Sequence, residues 1–254
     1  EQVEEQYGDY AYISSSAVAT MSLSNSLYLY KEIQGNQDGA YQTGTSDVTM
    51  VTKGELEENE AAPENNGRVN FRLNLINGSN DQDIKKIRVA DVLPAVGDTG
   101  AVSNISRNSR WPLYMTGDIK VYGNDGSELS GDSYDVYVTS ETYNSTLREE
   151  VESYLAYEGT LGAAWTLAGD DTDWSKVTAF IVDVKDIMLE ATGSGENGEA
   201  MRIEYTTQVD PDMTYEEKNN HSFQLAANNF SAQYQFVSHG TEGPEVPVKN
   251  ALTS

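Results

Sequence analysis

An amine, a carboxylic acid and a carboxamide in this chain each fall on a strand face that is otherwise apolar: Lys31, Asp91 and Asn228. In Ile84-Lys85-Lys86-Ile87-Arg88-Val89-Ala90-Asp91-Val92-Leu93-Pro94 the residues Ile87, Val89, Asp91 and Leu93 share one parity. Pleating projects them from one face, and three of the four are apolar. A carboxylate on a core face is costly unless it is neutral, paired or working. The bland alternative is a strand-end acid that caps the Pro94 turn. Lys31 shares parity with Leu27, Leu29 and Ile33, and is either a buried lysine or an edge lysine whose amine reaches water. Asn228 lies in line with Ala226, Phe230, Ala232, Tyr234 and Phe236; Asn229, beside it, has the opposite parity.

Other reactive constellations are weaker. Two acidic loops, Asn124-Asp125-Gly126 with Asp132 and Asp170-Asp171 with Asp173, lack the ligand spacing of a calcium loop and read as solvated turns, so no metal site is expected. His221 and His239 stand alone, without zinc-ligand spacing. There is no Gly-x-Ser-x-Gly, no His-Glu-x-x-His and no phosphate loop. Two carboxylates on strands suffice for a glycoside hydrolase, which leaves that class as a remote alternative. Trp111, Trp165 and Trp174 are large enough to stack on sugars. Two of the three are expected in packing, and Trp174, after the acidic turn, is expected to be exposed. Trp174 and Trp111 are therefore the ligand-binding candidates.

The elements that must position these groups are mostly strands. Sixteen tyrosines, many Thr and Val, and Gly/Asn/Asp breaks at short intervals indicate an all-β chain. Strands are expected around 27–33, 48–51, 69–75 (closed by Asn77-Gly78), 84–94, 119–121, 134–139, 176–189, 200–209 and 226–237. Thr142 to Tyr157 is the one helical stretch, with Leu147, Val151, Tyr154 and Leu155 near helical spacing. Residues 1–19 read as a linker or frayed segment, 20–238 as one module with an insertion at about 101–175, and 239–254 as an interdomain linker. Lys53, a second lysine candidate, precedes Gly54-Glu55 and looks like a turn residue.

Composition bounds the function. Hydrophobic content of 38% over 254 residues is enough for a real core. Forty-one acids against 16 bases give a net charge of −25, which argues against a nucleic-acid partner. No cysteine is present, so disulfides and thiolate metal sites are excluded, and rigidity outside the cell needs another source. No apolar run is long enough to span a bilayer and no signal pattern opens the chain, which reads as a mature fragment.

The order of parts carries a resemblance. Leu27-Tyr28-Leu29-Tyr30-Lys31-Glu32-Ile33 precedes the 70–77 strand ending in Asn-Gly. Val89-Ala90-Asp91-Val92-Leu93-Pro94 with Gly97-Asp98 follows, then Ile203-Glu204-Tyr205-Thr206-Thr207, then Asn228-Asn229-Phe230-Ser231-Ala232. This series resembles the immunoglobulin-like (Cna-type) modules of Gram-positive cell-wall-anchored adhesins and fimbrial proteins, which form intramolecular isopeptide bonds. The resemblance implies an immunoglobulin-like β-sandwich with an irregular insertion containing a short helix. It also implies a Lys31–Asn228 crosslink, with Asn229 as the alternate, assisted by the acid Asp91. The amine would act as a neutral nucleophile. A protonated Asp91 would polarise the Asn228 carboxamide, accept the amine's proton and help ammonia leave. Such a module is an extracellular, cell-surface stalk element and not an enzyme beyond one self-crosslinking event. It needs no cofactor, does not insert in the membrane, and has neighbouring modules of the same polypeptide as partners. The alternative is a module that binds a host glycan or matrix protein through the 101–175 insertion.

Overall fold

Alternating apolar and polar residues build most of the strands, and the computed structural model describes residues 10–15, 27–35, 38–43, 48–52, 67–109, 112–185, 187–192, 198–209 and 225–238. Three strands come early: β1 (Tyr10–Ser15), β2 (Leu27–Gly35) and β3 (Gln42–Thr43). They are followed by β4 (Val48–Thr52), β5 (Arg68–Asn77), β6 (Gln82–Val92), β7 (Leu113–Met115) and β8 (Lys120–Tyr122). Next come β9 (Tyr134–Thr139), the helix α1 (Ser145–Leu155), β10 (Thr166–Leu167), β11 (Ala179–Val184), β12 (Ala200–Val209), β13 (Leu225–Asn228) and β14 (Phe230–Ser238).

The strands form two principal antiparallel sheets, in the orders β3-β2-β5-β12-β7 and β10-β9-β11-β6-β14, with β8 also paired to β12. A small third sheet, β13-β1-β4, joins β13 to β1 in parallel, with Ser15 opposite Asn228. The expected all-β sandwich is therefore present. Its main core lies between the two large sheets, where Leu29, Ile33, Phe71, Leu73, Ile203 and Tyr205 meet Val89, Phe180, Val182, Phe230 and Ala232.

The helix forms a further layer. Leu147, Val151, Tyr154 and Leu155 recur at i, i+4, i+7 and i+8, so they line one helical face. They pack with Trp165 on Ala90, Val92, Ala179 and Ile181, the outer side of the five-stranded sheet. Asn144 caps the helix, its Oδ1 accepting from the backbone N–H of Thr146 and Leu147 at 2.9 and 3.1 Å. Arg88 ties the helix end to the sheet. Its guanidinium lies 3.9 and 3.7 Å from the Tyr154 and Tyr157 rings and its Nε donates to Asp183 at 3.0 Å.

Several expectations change. The 101–175 segment, expected as an irregular insertion, supplies β7 and β8 to one large sheet and β9 and β10 to the other. Residues 10–15, placed by sequence in a linker, form β1 between β4 and β13. The single closing strand is two, broken at Asn229, with β13 in the small sheet and β14 on β6. The 239–254 linker, residues 1–9, Lys53, Trp111, His221 and His239 lie outside the described residues.

Strand β6 also carries an irregularity that controls which side chains enter the core. Lys86 adopts φ 52°, and the pairing with β14 shifts register between Gln233 and Gln235. This is the behaviour of a bulge, which changes parity along the strand. Ile84 before it and Ile87, Val89, Asp91 and Leu93 after it consequently all point inward.

Candidate functional site

The side chain of Lys31 leaves the six-stranded sheet from β2 and ends wholly within the sandwich, at 1% exposure. Asp91 enters from β6 on the facing sheet and is 0% exposed. Lys31 Nζ donates to Asp91 Oδ2 at 2.7 Å, so the lysine is buried and paired and does not reach water along an edge. Asp91 does not cap the Pro94 turn. That role falls to Asp98, whose Oδ2 accepts from the Ala95 N–H at 3.1 Å.

Asn228, the last residue of β13, reaches the same place from the third sheet and is 0% exposed. The residue that joins all three groups is Tyr205 on β12. Its hydroxyl donates to Asp91 Oδ2 at 2.6 Å and accepts from Lys31 Nζ at 2.9 Å and from Asn228 Nδ2 at 2.8 Å. The phenol is held between aromatic neighbours. Phe71 stacks on it with centroids 5.0 Å apart, and Phe180 meets it edge-on at 5.0 Å. Lys31 Nζ lies 4.8 Å from the Phe71 ring centroid, so a face of negative quadrupole supports the amine's charge.

The other end of the Asn228 carboxamide faces a cation. Arg107 Nη1 donates to Asn228 Oδ1 at 3.3 Å and to the Val92 carbonyl at 2.8 Å, while Nη2 donates to Leu93 O at 3.1 Å. Asp98 holds the guanidinium at 2.6 Å, and both side chains are almost wholly buried. Ser109 completes the support: its hydroxyl donates to Asp98 Oδ2 at 2.7 Å and accepts from the Ala227 N–H at 3.1 Å. The loop after β6 thus fixes the backbone beside Asn228 as well as its carbonyl oxygen. Asn229 is half-buried on the loop side, where its Oδ1 accepts from Arg107 at 3.4 Å. Among the described residues it makes no hydrogen bond to Lys31, Asp91 or Tyr205.

Burial changes the proton affinity of both the amine and the phenol. Burial pulls the Lys31 amine down from 10.5 to about 8, against the opposing pull of the Asp91 charge. Burial and Asp91's charge push the Tyr205 hydroxyl well above its usual range, so it stays protonated. An enclosed ion pair of this kind recovers its desolvation cost only with good geometry and further hydrogen bonds. Among the described residues Asp91 Oδ1 has no hydrogen-bond partner, which leaves the acid incompletely satisfied there. One detail of the sequence expectation is not met: among the described residues Asp91 and Asn228 are not hydrogen-bonded, since Tyr205 stands between them.

The ligand-binding candidates fare differently. Trp174 is half-buried against the main core and not openly exposed, and Trp165 is buried under the helix. Asp170, Asp171 and Asp173 are exposed and border an open groove with Leu167 and Lys176. Among the described residues no group of three or more His, Asp or Glu converges as a metal site, and no helix is long and apolar enough to cross a membrane.

Tyr205 and Arg107 are the residues of this cluster that sequence reasoning missed. Tyr205 shares parity with Met201 and Ile203, so a phenol on a core face was a usable signal. Arg107 sits in a loop without periodicity and offered none.

No protein-family model and no curated protein matches the chain. Among solved structures it is similar to a family 3a carbohydrate-binding module from the cipA scaffolding of Clostridium thermocellum, at 10% identity and TM-score 0.25. That likeness covers 87% of this chain and 99% of the module, and at such a TM-score it carries no argument about function.

Proposed function

We propose that this chain is a structural stalk module of a bacterial surface adhesin or fimbrial protein, locked by an isopeptide bond between Lys31 and Asn228. The observation that carries the reading is the convergence of an amine, an acid and a carboxamide from three different sheets at one fully buried point. Ordinary packing has no need of such a trio, because an unlinked buried ion pair is seldom better than apolar side chains of the same volume.

The chemistry follows from the contacts. Lys31 passes a proton to Asp91 across 2.7 Å and becomes a neutral nucleophile. Its nitrogen attacks Asn228 Cγ, the carbonyl oxygen gathers negative charge against Arg107, and ammonia departs. Proximity supplies much of the rate, since all the groups are held in one enclosed site. The reaction happens once per molecule, so the chain is its own substrate.

The bond suits a stalk. It ties β2 to β13 across about 200 residues of intervening chain, so tension entering before Lys31 and leaving after Asn228 runs through a covalent link. The strands between are spared that tension, and the crosslink supplies the rigidity that an absence of cysteines leaves open. Neighbouring modules of the same extracellular polypeptide are the partners of this role.

Intact-mass measurement tests the reading. The wild-type chain should weigh one ammonia less than its sequence, and Asp91→Ala should carry the full sequence mass. A wild-type mass equal to the sequence mass rejects the proposal.

A further inference from the structure

We infer that Tyr205 is the proton carrier of the crosslinking reaction, moving a proton from the attacking nitrogen of Lys31 to the departing nitrogen of Asn228. The inference rests on the Lys31–Asn228 reading and goes beyond it, because it gives nitrogen-to-nitrogen transfer to a phenol and not to the acid.

The contacts divide the labour. Asp91 offers Oδ2 to Lys31 and Tyr205, while neither of its oxygens bonds to the carboxamide of Asn228. The carboxamide is occupied at both ends by other groups: Arg107 at Oδ1 and the Tyr205 hydroxyl at Nδ2. An acid that does not touch the leaving group cannot protonate it directly. The Tyr205 oxygen touches both nitrogens, at 2.9 and 2.8 Å, and among the described residues it is the one atom placed to serve each.

The proton inventory closes. Lys31 begins as an ammonium with three protons, Asn228 has two on Nδ2, and Asp91 has none. Lys31 gives its first proton to Asp91, which keeps it to the end as a neutral acid. Attack forms the Nζ–Cγ bond, with Nζ still bearing two protons and the oxygen negative charge held by Arg107. Tyr205 then accepts one proton from Nζ and delivers its own to Nδ2, which ends the step with the hydroxyl restored. The Cγ–Nδ2 bond breaks as the carbonyl re-forms, and ammonia leaves with three protons. One proton remains on the new amide, so the five starting protons are all placed and net charge is unchanged.

The environment suits a shuttle that must return to its starting state. Phe71 and Phe180 fix the ring, and burial with Asp91's charge keeps the phenol protonated between transfers. The same rings make Tyr205→Phe a conservative change in packing.

The test follows the intact mass of the full chain with time during cell-free synthesis. Wild type should lose one ammonia, and Tyr205→Phe should lose it at least about 100-fold more slowly, the scale of one positioned proton-transfer group. Loss of ammonia by Tyr205→Phe at the wild-type rate overturns the relay and leaves the crosslink standing. A wild type that keeps its full mass overturns the crosslink and the relay with it. A fluorinated tyrosine at position 205 guards against misfolding of the Phe variant, since it keeps the hydroxyl and its packing but makes it more acidic. A changed rate supports the relay; an unchanged rate contradicts it.

Discussion

Replacing Asn228 with Ala removes the carboxamide that meets Tyr205 and leaves Lys31 beside Asp91 with nothing to join. The size of the effect can be worked out from the topology. Joining Lys31 to Asn228 closes a loop of about 200 residues, which in the chain-entropy account stabilises the folded state by about 5 kcal/mol. The variant also takes from the buried Arg107 guanidinium the carbonyl oxygen that survives crosslinking, adding about 1–3 kcal/mol. The expected loss is therefore about 6–8 kcal/mol, or a fall in Tm of at least about 12 °C for a chain of this size. Denaturant unfolding at neutral pH, with the intact mass of each sample measured in parallel, reads both quantities. A loss of about 3 kcal/mol or less, with both proteins at full sequence mass, refutes the reasoning, because hydrogen bonds alone would then explain it.

Two further outcomes follow from the charges around the site. In uncrosslinked Asn228→Ala, Lys31 should titrate at about 8 in the folded state against 10.5 when unfolded, since burial dominates its shift and Asn228 does not contribute. Between those values the unfolded chain binds the proton that the folded chain has lost, so stability should rise with pH, by about 2 kcal/mol from about pH 8 to about pH 10. Denaturant midpoints that stay flat or fall over that window contradict the buried amine. Arg107→Met should slow ammonia loss by about 100-fold through loss of the donor to the Asn228 oxygen. It should also destabilise the fold by about 3–5 kcal/mol, because Asp98 is left buried without its cation. Crosslinking at the wild-type rate in a folded Arg107→Met protein removes Arg107 from the mechanism.

Much of this site was legible in the sequence because strand parity is a strict rule wherever one face is buried. Lys31 among Leu27, Leu29 and Ile33, and Asn228 in line with Ala226 and Phe230, point where their parity places them. Asp91 does too, but only because the reading started at Ile87. Counted from Ile84 the parity fails, since the bulge at Lys86 adds a residue that alternation does not show. The opposite face of β6 is buried as well, at Ala90 and Val92, which alternation does not show. Ala90 and Val92 lie under α1, a contact between segments distant in sequence that no local pattern predicts. The break at Asn229 was hidden for a related reason, because the same alternation runs through β13 and β14 although they belong to different sheets. Helix α1 was readable from four apolar residues at helical spacing, while its start at the Asn144 cap, inside the expected 142–157 stretch, emerges from the structure. Arg107 acts through backbone carbonyls and a loop carboxylate, so its place in the site depends on how the loop folds.

The most direct test of the account is proteolysis of the unfolded wild-type chain followed by fragmentation mass spectrometry of the peptides. One branched peptide should appear, in which the Lys31 side chain is joined to the Asn228 side chain at a mass one ammonia below the sum of its two parts. Recovery of the Lys31 and Asn228 peptides as separate, unmodified species would contradict it.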